Sequence, residues 1–96
     1  MATLIKIDGT KTEVFPKNKR KGFSLKETYD LIGCSMVELV GPMDDGRCML
    51  VDEEGKLKQD CETRINAQAT YMYRTCFGVD DVIVGNVLMV TDKEFR

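Results

Sequence analysis

Four cysteines and no histidine set the chemical range of this 96-residue chain. Cys34, Cys48, Cys61 and Cys76 stand singly, so no C-x-x-C pair exists, and without imidazole the usual zinc ligand sets cannot be assembled. The acidic stretches Asp44-Asp45-Gly46 and Asp52-Glu53-Glu54-Gly55 lack the alternating ligands and sixth-position glycine of a calcium loop, and read as ordinary turns. General acid–base work near neutral pH would fall to carboxylate, thiol, lysine or tyrosine groups with strongly shifted pKa values. Any cysteine nucleophile would lack an imidazole partner, and neither a G-x-S-x-G elbow nor a phosphate-cradling glycine loop is present. The expectation is a non-enzyme with no catalytic residues, no metal and no cofactor.

Two residue sets could instead bind something. Arg64, Tyr71 and Arg74, with the basic loop Lys17 to Lys21, could stack on and ion-pair with a small anionic ligand such as a nucleotide; equally, they suit a solvated helix face and connection. Met36, Glu38, Val40, Arg47, Met49 and Val51 could form an adaptable apolar contact surface interrupted by two charges. Net charge is -2, from 14 basic and 16 acidic residues, which argues against a general nucleic-acid binder and against an acidic DNA mimic.

The elements that must position these residues follow from periodicity. The stretch Ser35 to Leu57 is central: Met36–Val40 and Arg47–Val51 alternate on either side of Asp45-Gly46, a strong hairpin turn signal, and so pair antiparallel. Any common register sets Leu39 on a face with Leu50, and Val40 with Met49 and Val51. Both faces are then largely apolar and need covers. Two helices on one side would leave the Met49 face bare as a contact surface; otherwise the first hairpin or a helix covers it within the monomer.

Upstream, Asp8-Gly9 marks a first hairpin placing Ile5, Ile7 and Val14 on one face, and Pro16 suits an edge position. Ser24-Leu25-Lys26-Glu27 is a capping box opening a short amphipathic helix that Gly33 ends. Downstream, Gly55 permits a turn into a short strand from Lys56 to about Gln59. Asn66 caps a second helix with the stripe Ala69, Met72, Tyr73 and Cys76, leaving Arg64, Thr70, Tyr71 and Arg74 off it, and Gly78 ends it. Asp81 to Val90 is the most β-prone run, with Gly85 marking a bulge or close approach. The fold expected is one α+β domain over residues 1–96, a mostly antiparallel sheet of five or six strands with two short helices in the order ββα-ββ(β)-αβ.

A composition of 43% hydrophobic and 31% charged residues is that of a folded chain. The start, Met1 to Gly9, lacks a charged-then-apolar leader, and no apolar run approaches the ~20 residues that span a bilayer. Reduced thiols and a cytoplasmic location are therefore expected, with no membrane partner.

Val37-Glu38-Leu39-Val40, then Val51 with Glu54-Gly55-Lys56-Leu57, then Asn66 with Ala69-Thr70, and finally Asp81 with Ile83-Val84-Gly85-Asn86-Val87-Leu88 form a familiar series. Over nearly its whole length the chain resembles a family of small phage, viral and mobile-element proteins catalogued only as a domain of unknown function. It departs from that pattern between Lys58 and Ile65. The resemblance implies provenance, a protein acting in a bacterial host cytoplasm, and supplies no catalytic residues. The functional expectation is a small non-enzymatic binding module for a host macromolecule or for itself as a homodimer; the alternative is a small-ligand binder that sequesters an anionic nucleotide in counter-defence.

Overall fold

The computed structural model describes residues 2–18, 20–43, 45–55 and 61–91. In chain order these form β1 (Ala2–Ile5), β2 (Lys11–Val14), α1 (Leu25–Ile32), β3 (Val37–Val40), β4 (Cys48–Asp52), a short 3₁₀ turn (Cys61–Arg64), α2 (Ala67–Phe77) and β5 (Val87–Val90). The order is the one the periodicity predicts, and the class is α+β. The short strand expected from Lys56 to Gln59 lies outside the described residues.

All five strands join one antiparallel sheet in the order β2-β1-β5-β4-β3. The last strand inserts between the two hairpins, which suits its sequence: Val87, Leu88, Met89 and Val90 are all buried, as a strand flanked and covered on every side must be. Alternation divides the core in two. Leu4, Leu50, Leu88 and Val90 lie on one face, with Phe23 and Ile32 over them. Ile5, Met49, Val51, Val87 and Met89 lie on the other, beneath Ala69, Met72, Tyr73 and Cys76 of α2. One helix therefore covers each face, and neither side of the sheet centre is bare.

Local signals place both helices. Ser24 Oγ accepts from the Glu27 amide at 3.2 Å while Glu27 Oε1 accepts from the Ser24 amide at 3.1 Å, the reciprocal capping box. Asn66 caps α2 by accepting from the Ala69 amide at 3.1 Å. It also does more. Fully buried, its Nδ2 donates to the carbonyls of Ile5 at 2.9 Å and Gly85 at 3.0 Å, and its main-chain amide donates to the Ile83 carbonyl at 2.8 Å. Thr70, expected off the buried stripe, is buried because its hydroxyl accepts from the Ile83 amide at 2.9 Å. The N-terminal turn of α2 is thus locked onto β1 and onto the approach to β5.

Three local expectations change. In the first hairpin the loop is Lys6 to Thr10, closed by Lys6 N–H to the Thr10 carbonyl at 2.9 Å, so Ile5 pairs with Lys11 and Ala2 with Val14. An odd-length loop reverses the parity of the second strand. Val14 therefore joins Leu4 on the α1 side rather than Ile5. In the second hairpin Asp45-Gly46 sits at the tip of a longer loop, in which Met43 is buried in the α2-side core and Met43 N–H donates to the Arg47 carbonyl at 2.7 Å. The longer loop keeps the parity, and Leu39 faces Leu50, and Val40 faces Met49, as expected. Finally, the β run expected from Asp81 is a strand only from Val87. Before it, Gly85 takes a φ of 89° and gives its amide to the Arg64 carbonyl at 2.8 Å, while Val84 makes an isolated bridge to Ile65.

Candidate functional site

The structure divides the expected contact surface. Met49 is wholly buried and Val51 nearly so, both under α2. They are core residues, which corrects their assignment to an exposed face: the second helix supplies the cover that the sequence pattern left open. Val40 is half-buried against the same core. Arg47 is tied to its own turn, Nε to Asp45 Oδ2 at 2.8 Å and NH2 to the same oxygen at 2.7 Å. That pairing and the Arg47 amide hold the Asp45 carboxyl below its usual range. Met36 and Glu38 remain exposed.

The residues proposed for an anionic ligand are not drawn together by their contacts. Arg74 sends Nε to the Asp81 carbonyl at 2.9 Å and NH2 toward the Asp80 carbonyl at 3.4 Å, fastening the segment after α2. Arg64 instead lies against Gly85, and Tyr71 projects into solvent. In the basic loop, the Arg20 and Lys21 amides donate to Asn18 Oδ1 and the Lys17 amide donates to Glu27 Oε2. The Lys17, Arg20 and Lys21 amides, donors that a phosphate could use, are thus already occupied.

What remains is the edge formed by β3. Among the described residues, only β4 pairs with it. Glu53 N–H donates to the Met36 carbonyl at 3.1 Å, which fixes the phase of the ladder. Residues 36, 38 and 40 direct their main chain at β4, while Val37 and Leu39 direct theirs outward. Leu39 is 55% exposed although its cross-strand neighbour Leu50 is fully buried, and Met36, just before β3 and on the opposite face, is 47% exposed. On this face the core reaches Val37 of β3, which is half-buried against it, and stops short of the side chain of Leu39.

On the α2 side of the same edge, a cleft of about 110 Å³ opens between β3 and the segment leading to β5. Glu38 and Val40 form one wall, Asp52 and Glu53 its end, and Tyr73 and Asp81 the other wall. Among the described residues, every charged one lining it is acidic. A larger groove of about 430 Å³ lies at the opposite edge, between β2 and α1, over Val14 and Leu31, and its lining sets Lys17 among Glu13, Glu27 and Asp30. Among the described residues, no group of three or more Cys, Asp or Glu is arranged to hold a metal ion, and no helix is long and apolar enough to cross a membrane.

The match to known proteins spans almost the entire fold, from β1 past β5: a family model described as a domain of unknown function (DUF3846) covers residues 2–95. The chain belongs to that family. The family description carries no activity, and no curated protein and no solved structure matches the chain. Leu39 and Asp81 are the candidate residues at this edge that sequence reasoning missed. Leu39 read as a core partner of Leu50, and Asp81 as the start of a strand. The signal for both was strand order, which local periodicity does not contain.

Proposed function

We infer that this protein is a non-enzymatic binding module that acts on a host macromolecule in the cytoplasm of a bacterium carrying a phage or mobile element, and that the β3 edge is its contact surface. The observation that carries this reading is the open ladder at Val37 and Leu39, flanked by the exposed side chains of Met36 and Leu39. An edge of this kind recruits an extended segment by main-chain hydrogen bonding, with side chains on either face adding selectivity. Met36 and Glu38 keep the role expected of them, while Met49 and Val51 act beneath the surface by supporting it.

The test is a comparison of host proteins retained by the wild-type chain and by Leu39→Lys, which places a charge on the edge without touching the β3–β4 ladder. A partner retained by wild type and by Lys11→Ala, but lost with Leu39→Lys, is the expected result. Retention by both variants would remove β3 from the contact. Sedimentation equilibrium decides the self-association arm: concentration-dependent mass that Leu39→Lys abolishes would assign the edge to a second copy.

A further inference from the structure

We propose that the β3 edge selects an extended partner segment in which cationic side chains alternate with apolar ones. This deepens the edge-binding reading and rests on it. An added strand places successive side chains on opposite faces of the sheet, and a residue directly across from an existing one shares its face. The residue set opposite Leu39 therefore lies on the α1 side, beside an exposed leucine. Its neighbours in the segment, opposite Glu38 and Val40, lie on the α2 side at the mouth of the cleft. There they meet Glu38, Glu53 and Asp81, with the ring of Tyr73 forming part of the wall. An apolar side chain suits the first position. A lysine or arginine suits the second, because its stem can lie on Val40 and its charge among the carboxylates.

The same geometry disfavours a second copy as occupant. Pairing β3 with itself brings another Glu38 to the cleft side of the edge, where, among the described residues, every charged one in the lining is already acidic. Pairing centred on Glu38 would also set two carboxylates directly opposite, a repulsive cross-strand pair. The groove at the other edge is a weaker competitor for a cationic segment, since Lys17 offsets part of the charge of Glu13, Glu27 and Asp30 there.

Amide-detected NMR titration of the full chain tests this with two probes, a short peptide of alternating valine and arginine and one of alternating valine and glutamate. The expected result is a shift of the Val37 and Leu39 amides, roughly tenfold tighter binding of the arginine peptide, and loss of that preference in Glu38→Lys and in Asp81→Asn combined with Glu53→Gln. Raising salt should narrow the difference, since the carboxylates are partly exposed. Equal affinity for the two peptides at Val37 and Leu39 overturns the cationic selection while leaving the edge reading in place. Shifts confined to Lys11 and Glu13, or no shift with either peptide, overturn both. Dimerisation that protects the β3 amides and that neither peptide displaces overturns the inference in favour of a second copy.

Discussion

The two ends of the sheet are treated differently. At one end β2 turns the main chain of Lys11 and Glu13 outward, both carrying charged, exposed side chains, and Pro16 stands two residues past its end. Charges and a proline are the ordinary means by which an edge strand is kept from pairing. The exit of β2 is further fastened to α1, because Glu27 Oε2 accepts from the Lys17 amide at 3.0 Å. At the other end β3 reads Val-Glu-Leu-Val and exposes Leu39. A proline stands two residues past the end of both edge strands, Pro16 after β2 and Pro42 after β3, so the difference lies in the outward positions, which are Lys11 and Glu13 on β2 but Val37 and Leu39 on β3. Apolar outward positions on β3 are what the proposed contact requires.

The strongest way to break the comparison is to remove what holds the sheet order. Asn66→Ala leaves the Ile5 and Gly85 carbonyls and the Ala69 amide without their partner in a buried setting. We expect a loss of about 3 kcal/mol in urea unfolding, with hydrogen-exchange protection falling at both ends of the sheet together. A loss confined to α2 would show that the edges do not depend on this lock.

Proline scanning along β3 sharpens the comparison next. Glu38→Pro removes an amide aimed at β4 and should cost about 3 kcal/mol. Leu39→Pro removes only an outward amide and should cost less than about 1 kcal/mol while abolishing partner or peptide binding. Equal destabilisation by the two would contradict the phase of the ladder. Opening the protected end is a smaller perturbation: Lys11→Val with Glu13→Val should change stability by within about 0.5 kcal/mol, yet produce concentration-dependent association by sedimentation. A strictly monomeric double variant would mean that Pro16 and the Lys17 fastening protect β2 without help from charge.

The smallest effect concerns that fastening and its pH dependence. The amides of Lys17 and Ser24 donate to Glu27 and hold its carboxyl below the usual 4.5. A depressed carboxylate pKa contributes stability that is present in full above the unfolded value and is lost as pH falls through the lower folded one. Exchange protection of the Lys17 amide should therefore weaken on acidification below about 4.5, the ordinary value of this group, while protection of β3 stays level. In Glu27→Gln the Lys17 amide should show no such acid step.

The sequence by itself determined the elements, their caps and their order. Ser24 with Glu27, Gly33, Asn66 and Gly78 bound the two helices through interactions within a turn, which a linear pattern can encode. It also determined that the central strands are apolar on both faces, from which two covers follow. Only the tertiary structure decided where those covers go, that β5 enters between the hairpins, and hence that Met49 is core while Leu39 is edge. These are contacts between segments far apart in the chain, and the alternation of a strand is the same whether its neighbour is another strand or water. The same holds for Val14, whose face depends on the length of the loop before it. The exposed edge was legible as residues and illegible as a place.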